Sequence, residues 1–316
     1  VDLRVILPQV LPAGADAGGL SEEGAKLLDP SGDLRPGIPF CPPEGDAGTG
    51  MTATNSVRVK TGNVSAGTSD FAMIVVDKLL GVHREIDMVT TPDGAPVAMV
   101  HCNNCTSDIN AWAGLFAEFA AAIGAELDAN TLYTLLFRKA LEGDADCGGL
   151  LSYNYLSGEG VTDLDSGRPV FARTPDAKLT LANFMRTHLL SALATLKIGL
   201  DILTGEEHVA IEKLYGHGGF FKTPEVGQRL LSAAVGAPVS VMETASEGGP
   251  YGMALLAAYR MNGHGKKLAD FLDTEVFADA KSVTLQADAA ECAGFDTFLA
   301  RYQKALPLEK TATEVL

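Results

Sequence analysis

The sequence predicts an α/β fold whose ligand site lies at the carboxyl ends of strands. Short apolar runs typical of strands occur between residues 57 and 101. Apolar residues then recur at helical spacing as far as residue 204, and the last third alternates strand, glycine loop and helix. Such alternation builds a sheet covered by helices, and ligands bind in the crevice beyond the carboxyl ends of its strands.

The first 56 residues are rich in glycine and proline and predict one helix, near Ser21–Leu28. Ser21 is a favourable N-cap residue, and the carboxylates of Glu22 and Glu23 suit the positive end of the helix dipole. The chain has no initiator methionine, and its first residues resemble the interior of a folded segment. We therefore expect it to be part of a longer protein.

Apolar residues separated by glycine-containing turns predict two pairs of strands before residue 102. The strands are expected around Val57, Val59 and Val64, at Phe71–Val76, at Met88–Val89 and at Pro96–His101, with turns at Thr61–Asn63, Gly67–Ser69 and Pro92–Gly94.

Helical periodicity and capping residues predict most of the remaining elements. The helices are expected at Ile109–Ile123, at Ala129–Leu141 after the cap Asp128, at Thr180–Thr204 before Gly205, at Pro224–Val235 after the cap Thr223, and at Tyr251–Asn262. Strands are expected at Val209–Tyr215 and Pro238–Met242, and the polar residues after Pro307 predict a frayed tail.

Composition favours a soluble protein that acts on small molecules. Hydrophobic residues make up 47% of the 316 residues, charged residues make up 20%, and the net charge is −16. We expect no nucleic-acid partner, which needs clustered Lys and Arg, and no membrane span, which needs a long apolar run. Five irregularly spaced cysteines do not suggest a disulfide framework, so a cytoplasmic location is expected.

A carboxylate among small residues is the first candidate for chemistry. Asp46 lies in the segment Pro42–Gly50, where no bulky neighbour would keep a substrate away. Such an aspartate suits the general base that takes the proton of an attacking alcohol in phosphoryl transfer. The alternative is an ordinary aspartate in a glycine-rich turn, where this residue is common.

The Gly67–Ser69 turn presents backbone amides and hydroxyls together, which suits a phosphate. It is not a Walker A loop, because no Gly-Lys-Ser/Thr follows. A serine hydrolase using Ser65 is disfavoured because the strand–turn–helix of a nucleophile elbow is missing, and a fluorophosphonate probe would test it. A plain hairpin turn is the other alternative.

Two glycine loops, Gly216–Pro224 and Glu243–Gly252, each precede a predicted helix. The backbone at Gly218 and Gly219 can lie flat against a nucleotide, and the second loop repeats the arrangement after the next strand. The two loops together predict a cleft for adenosine, which His217 could contact.

In chain order these segments resemble the FGGY carbohydrate kinases, which phosphorylate ketoses and polyols with ATP. The Gly45–Asp46 segment resembles the catalytic aspartate motif, and Gly67–Ser69 resembles the phosphate-binding hairpin. The Gly218–Lys222 segment and then Glu247–Gly252 resemble the adenosine-binding segments. Leu150–Glu159 is similar to a stretch that ends in Gly-Glu-Arg in many members, and Asn183–Arg186 falls in the helix that usually follows. Xylulokinase and ribulokinase look like the nearest activities.

The resemblance implies the C-terminal domain of an actin-like ATPase (ribonuclease H-like) fold at residues 57–316, with residues 1–56 as the tail of the N-terminal domain. It implies ATP and Mg²⁺ as cofactors and a sugar or polyol as substrate, and it is compatible with a homodimer. The implied site residues are Asp46 as catalytic base and metal ligand, Glu44, Gly45 and Asp46 for substrate, and Gly67, Thr68, Ser69, Gly218, Gly219, Lys222, Gly248 and Gly249 for phosphate and ATP.

The chain also departs from the family pattern. The Asp-Gly-Thr motif that opens the N-terminal half of the family is absent, Gly160 stands where many relatives have Arg, and Phe220 and Phe221 replace small residues. We therefore expect this chain to bind ATP and to transfer little phosphate by itself. The alternative is a non-catalytic nucleotide-binding module or regulatory relative, which would bind nucleotide without turnover.

A zinc site is a further alternative at His101-Cys102-Asn103-Asn104-Cys105. No second CxxC or HxxxH pattern supplies the remaining ligands, so buried packing thiols are expected instead. His188 and Trp112 lie on predicted helices and are expected to be structural residues.

Overall fold

A mixed β-sheet with helices on both faces forms the centre of the protein. The structure is a computed structural model and describes residues 3–244 and 248–316. The strands are β1 (Thr61–Ala66), β2 (Asp70–Val75), β3 (Asp87–Thr90), β4 (Pro96–Cys102), β5 (Leu150–Tyr153), β6 (Val170–Arg173), β7 (Lys213–His217), β8 (Val239–Met242) and β9 (Ser282–Leu285). Seven of them form one sheet in the order β3-β4-β2-β1-β7-β8-β9, and β5 pairs with β6 in a second, two-stranded sheet.

The α-helices of the described residues differ widely in length. They are α1 (Leu3–Ile6), α2 (Glu22–Leu28), α3 (Asp46–Ala53), α4 (Ser107–Ala122), α5 (Ala129–Ala140), α6 (Leu181–Asp201), α7 (Val226–Val235), α8 (Gly248–Asn262), α9 (Leu268–Phe271) and α10 (Ala289–Val315). Helices α2 and α5 begin as expected, because Ser21 and Asp128 accept hydrogen bonds from backbone amides in the first turns.

The directions of the strands define one edge of the sheet. β1 is antiparallel to β2 but parallel to β7, and β7 is parallel to β8. The carboxyl ends of β1, β7 and β8 therefore lie at the same edge, where α/β sheets place their ligands.

Each face of the sheet buries its own apolar core. Val64 and Ala66 of β1 point to the larger core, which includes residues of α4–α7 and α10. The opposite face carries Met73 and Val75, which pack with Met51 of α3 and with residues of α8 and α9. The alternation of side chains along β1 and β2 thus assigns α3 and α8 to the same side of the sheet.

Helix α6 lies in the larger core. By length and composition the segment Leu181–Glu206 could cross a membrane, but 67% of its most apolar window is buried inside the protein, as in the core helix of a globular protein. His188 on α6 is buried, with its Nδ1 3.2 Å from Ser152 Oγ and 3.3 Å from Asp108 Oδ2. Trp112 Nε1 donates to the same carboxylate at 3.2 Å, so both residues are structural, as expected.

The turn predicted at Thr61–Asn63 is wrong, because these residues begin β1. Gly62 pairs with Ile74 of β2 and Leu214 of β7. A Cβ at Gly62 would lie 2.2 Å from the Met73 carbonyl oxygen, so glycine permits the close approach of two strands there. A glycine that serves strand packing resembles a turn signal in the sequence.

Two helix starts differ from the prediction. Thr223 does not cap α7, because a short 3₁₀ turn occupies Gly219–Phe221 and the cap is Glu225, whose φ is 75°. Helix α8 begins at Gly248, so Gly248 and Gly249 belong to its first turn and do not form a loop. The strand expected at Val209–Tyr215 is β7, which runs from Lys213 to His217.

Helices α3 and α10 are the elements that differ most from the sequence prediction. The segment at Asp46 is the first turn of a helix of small residues, which lacks the apolar periodicity that sequence patterns detect. The tail after Pro307 is not frayed: α10 continues to Val315, Glu309 and Ala312 are buried, and Glu309 Oε1 accepts the Arg168 amide at 2.6 Å.

Candidate functional site

The chain path brings Asp46 to the carboxyl edge of the sheet. Helix α3 ends at Ala53, and residues 54–60 lead directly into the start of β1. A Cβ at Gly50 of α3 would lie 3.8 Å from the imidazole of His217, the last residue of β7, so α3 lies beside the carboxyl edge of the sheet. Helix α8 starts after β8, so Gly248 and Gly249 lie at the same edge.

Asp46 is exposed in the first turn of α3, where the helix dipole stabilises a carboxylate. Its Oδ1 accepts the Ala47 amide at 2.9 Å. Glu44 Oε1 accepts the Gly45 amide at 2.9 Å, and a Cβ at Gly48 would lie 2.5 Å from the Glu44 carboxyl carbon. The Glu44 side chain thus covers the start of the helix and leaves Asp46 facing solvent.

Helices α3 and α8 are in close contact through glycines. A Cβ at Gly252 would lie 1.9 Å from the Thr49 carbonyl oxygen, and one at Gly249 would lie 3.3 Å from Thr49 Oγ1. This contact places the start of α8 beside the helix that carries Asp46.

The residues that follow β4 bind the backbone carbonyls at the tip of the β1–β2 hairpin, Gly67–Ser69. The Cys105 amide donates to the Thr68 carbonyl at 2.9 Å, and the Thr106 amide and hydroxyl donate to the Gly67 carbonyl at 3.0 and 2.7 Å. Among the hydrogen bonds of residues 3–244 and 248–316, none uses the amide of Thr68 or Ser69. The tip carbonyls are therefore occupied, whereas its donors are available to an anion.

Gly218 joins the ends of β1 and β7. Its φ is 98°, and a Cβ there would lie 2.5 Å from the Ala66 carbonyl oxygen. On the preceding residue, His217 Nε2 is 3.1 Å from Asn63 Nδ2. Burial lowers the pKa of His217 to about 4, so its imidazole is neutral at neutral pH and can accept the Asn63 amide hydrogen.

Two clefts meet at Gly219 and Lys222. The first, which we name the β7–β8 cleft, has a volume of about 460 Å³ and is lined by His217, Gly218, Gly219, Phe221, Lys222, Val241, Met242, Glu243 and Gly248. The second, the α4–α5 cleft, has a volume of about 440 Å³ and is lined by Thr106, Ile109, Asn110, Ala129, Asn130, Tyr133, Thr134, Phe137, Gly219, Lys222 and Thr223. Both volumes suit a small-molecule ligand.

The structure brings most of the predicted site residues to one edge. Gly218, Gly219, Lys222 and Gly248 line the β7–β8 cleft, and the Gly67–Ser69 hairpin adjoins the α4–α5 cleft through Thr106. Glu247, which the family pattern also suggested, lies outside the described residues.

Sequence reasoning missed Thr106, Asn110, Tyr133 and the partner of His217, Asn63. Asn110 and Tyr133 lie within predicted helices, Thr106 precedes the helix predicted at Ile109–Ile123, and Asn63 falls in a predicted turn. The available signal was topological: a helix that follows β4 must start beside the hairpin that β2 shares with β1.

Asp46 is a candidate protein ligand for a magnesium ion at this edge. Among the described residues there is no group of three or more His, Cys, Asp or Glu side chains that could hold a metal. Mg²⁺ usually keeps several waters and binds one or two carboxylates plus substrate phosphates. The exposed carboxylate of Asp46 fits that mode.

Solved structures of sugar kinases share this architecture. Xylulose kinase from Rhodospirillum rubrum superposes with a TM-score of 0.75 at 18% identity, covering 96% of this chain and 58% of that one. Gluconate kinase from Lactobacillus acidophilus gives 0.75 at 17% identity, with coverages of 96% and 57%. Plasmodium falciparum glycerol kinase with ADP gives 0.68 at 14% identity, with coverages of 97% and 57%. The chain thus spans little more than half the length of these kinases.

A comparison with curated protein sequences finds no match. The family model for the C-terminal domain of the FGGY family of carbohydrate kinases matches residues 62–261, which include the hairpin, both clefts and most of α8. This match covers more than half of the chain and agrees with the resemblance of its motifs and with its actin-like ATPase fold. The chain therefore belongs to the FGGY family of carbohydrate kinases.

Proposed function

We propose that this chain is the nucleotide-binding part of a kinase that transfers the γ-phosphate of ATP to a hydroxyl group of a sugar or polyol. The observation that supports this most is the convergence of Asp46, the Gly67–Ser69 hairpin and the glycine-lined clefts at one carboxyl edge. Phosphoryl transfer depends mainly on positioning and charge stabilisation, and these groups offer a base, anion donors and a nucleotide cleft.

Adenosine fits the α4–α5 cleft best. Tyr133 and Phe137 supply aromatic surface for a base, and Asn110 offers an amide for polar recognition. Thr106, whose hydroxyl donates to the hairpin, lines this cleft, so a nucleotide in it would have its phosphates close to Gly67–Ser69. Lys222, at the junction of the two clefts, adds positive charge for them.

Gly248 and Gly249 are assigned to the opposite side of the phosphates. As the first residues of α8, they lie at the positive end of a helix dipole, which favours negative charge. Their contact with Thr49 keeps this helix end close to the helix of Asp46.

Asp46 acts as the general base in this proposal. Its carboxylate takes the proton of the attacking hydroxyl while the amides of Thr68 and Ser69 donate to the transferred phosphoryl group. Glu44 and Gly45 help to orient the acceptor at the start of α3. When Mg²⁺ is bound, it offsets the phosphate charge, and Asp46 offers it a carboxylate oxygen.

The acceptor is proposed to be a ketopentose such as xylulose or ribulose, or a related polyol. The solved relatives are named as xylulose, gluconate and glycerol kinases, which share small polyhydroxylated substrates. Because the chain spans 57–58% of those kinases, we expect it to bind nucleotide and to transfer little phosphate without further protein surface around the acceptor.

Titration calorimetry with ATP and Mg²⁺ tests the nucleotide site in this chain. We expect saturable binding. It should weaken in Thr106→Val, which removes the hydroxyl that donates to the Gly67 carbonyl. A chain that binds neither ATP nor ADP would contradict the proposal. Binding without turnover, even in a longer form that carries the N-terminal domain, would favour a non-catalytic module instead.

The role of Asp46 is tested with Asp46→Asn in a form that phosphorylates a ketose or polyol. We expect nucleotide binding to persist and the transfer rate to fall about 10²–10⁴-fold, as for loss of a general base. Asp33→Asn, at another exposed aspartate, is the matched control. Transfer that survives Asp46→Asn would remove Asp46 from the mechanism.

A further inference from the structure

Asp70 follows the hairpin tip directly and is an unusual residue for its position. It begins β2, and its side chain is fully buried on the sheet face of the larger core. Among the described residues, neither of its carboxylate oxygens has a partner at hydrogen-bonding geometry. Burying an ionised carboxylate without a partner costs several kcal/mol in proteins, so this group needs a proton or a counter-charge.

Among the described residues, the charged neighbour that acts on Asp70 is Glu159, which has the same sign. Cys102, its partner in β4, and Cys105 are buried thiols, and the Glu159 carboxyl lies close enough to oppose the ionisation of Asp70. Glu159 is itself only 1% exposed, and its Oε1 has no hydrogen-bond partner in the part of the chain that the structure describes. Two neighbouring buried carboxyl groups cannot both ionise cheaply, so at least one retains a proton.

Hydrogen bonds assign the charged role to Glu159. Its Oε2 accepts the Asn103 amide at 2.9 Å and Asn104 Nδ2 at 3.1 Å. Asn104 Oδ1 in turn accepts the Leu156 amide at 2.9 Å and the Ser157 amide at 3.1 Å. Donors to a carboxylate favour its ionised form, and the described residues offer Asp70 weaker ones, its own amide and the Cys102 thiol, neither at normal hydrogen-bonding geometry.

Residues 103–106 bind both the Glu159 carboxylate and the tip of the hairpin. Asn103 and Asn104 bind the 156–159 loop, and the next two residues, Cys105 and Thr106, donate to Thr68 and Gly67 of the tip. Residues 103–106 therefore connect Glu159 to the hairpin, because one half of the segment bonds to Glu159 and the other half to the tip.

We propose that Asp70 is a neutral carboxylic acid at neutral pH and a positioning residue that, together with ionised Glu159, keeps the Gly67–Ser69 tip in place against the 103–106 segment. When Asp70 loses its proton, two buried negative charges face each other, and the tip separates from that segment. The consequence for phosphate binding rests on the proposed function, whereas the protonation and the movement of the tip do not.

The pH dependence has a definite sign. Burial raises the pKa of Asp70 well above its usual value of 3.8, and the Glu159 carboxyl adds to the rise. The folded state then keeps a proton that the unfolded state has lost. Stability must therefore fall as pH rises above 3.8, until the pKa of the folded state is passed. Glu159, whose pKa burial also raises, adds a slope of the same sign.

Asp70→Asn, which mimics the neutral acid, tests the protonation. We expect its Tm relative to the wild type to increase by roughly 2–4 °C or more from about pH 5 to about pH 8. Glu118→Gln, at an exposed carboxyl of α4, should show no such trend. A constant difference, or an asparagine variant less stable at every pH, would overturn the proposal. So would a nucleotide-free wild type whose Tm rises with K⁺ or Mg²⁺, because a bound cation would then neutralise the pair.

Infrared spectroscopy of the wild type gives a measurement that needs no variant. We expect a band from a buried protonated carboxylic acid at neutral pH that disappears in Asp70→Asn and persists in Glu118→Gln. Its absence from the wild type would contradict the assignment.

Hydrogen exchange and nucleotide binding test the positioning role separately. Protection of the Cys105 and Thr106 amides should fall by up to about tenfold per pH unit in the wild type as pH rises from 3.8 toward the raised pKa of Asp70, should level off above that pKa, and should stay constant in Asp70→Asn. The ATP affinity of the wild type should likewise fall over that pH range, and the ATP affinity of Asp70→Asn should stay constant. If protection follows pH but ATP never binds, the proposed function fails while Asp70 keeps its role. If ATP binds and protection does not respond to pH, the positioning role is wrong.

Discussion

The adjacent glycines Gly218 and Gly219 meet different physical demands. Gly218 has a φ of 98° and no room for a Cβ beside Ala66, so it permits the junction of β1 and β7. Gly219 has nothing within 4 Å of a Cβ position and lines both clefts. Gly218 is therefore required by the backbone conformation, and Gly219 is proposed to leave room for the ligand.

Gly218→Ala should lower the free energy of unfolding by about 1–3 kcal/mol, because the new methyl group is strained in a left-handed conformation. Gly219→Ala should change it little and should mainly weaken nucleotide binding by narrowing the clefts. Urea denaturation and calorimetry on both variants separate the two effects. Equal losses of stability in the two variants would contradict the requirement for glycine at position 218.

At the scale of elements, α10 shows how tertiary contacts extend a helix past a proline. Pro307 lacks the amide that would bond to the preceding turn, and such a residue usually ends or bends a helix. Glu309 and Ala312 are nevertheless buried beyond it, and Glu309 binds the Arg168 amide. The energy of that docking exceeds the local cost of the proline.

Removal of residues 308–316 should therefore destabilise the protein. Loss of the buried side chains and of the Arg168 partner should lower the Tm by at least about 2 °C, since about 1 kcal/mol moves Tm by 2–4 °C in proteins of this size class. Removal of Val315 and Leu316 alone, which are both exposed, is the control. An unchanged Tm after the longer truncation would indicate that the last turns are frayed after all.

At the scale of the whole molecule, the helix that carries Asp46 packs both on α8 and on the sheet. Helix α3 packs on α8 through the Gly252–Thr49 approach, and both helices share the smaller core with Met73 and Val75. The position of Asp46 relative to the hairpin thus depends on a contact far along the chain.

Gly252→Ala should push α3 away from α8. With 1.9 Å to the Thr49 carbonyl, the new Cβ must displace the backbone, and we expect a loss of about 1–3 kcal/mol of stability, as for overpacking, with weaker transfer. Gly114→Ala, in the exposed middle of α4 with no atom within 4 Å, should instead gain up to about 1 kcal/mol from helix propensity. Thermal unfolding of both variants distinguishes local propensity from helix contact.

Local sequence signals determined several secondary-structure elements of this protein and its family. The β3–β4 hairpin, α4, α5 after its cap Asp128, and the Gly67–Ser69 turn follow from alternation, periodicity and turn chemistry, which depend on neighbours in the chain. The ordered motifs also indicated the FGGY family, which the family model confirms. The roles of Asp46 and the glycines stay predictions.

Only the tertiary structure decided the elements that depend on distant contacts. Gly62 belongs to a strand because two other strands approach it, α3 forms from small residues because α8 covers it, and α10 passes Pro307 because its last turns dock. The site follows the same rule. Residues from β1, α4, α5 and β7 become neighbours only when the sheet aligns its carboxyl ends, since burial and close approach arise between segments far apart in sequence.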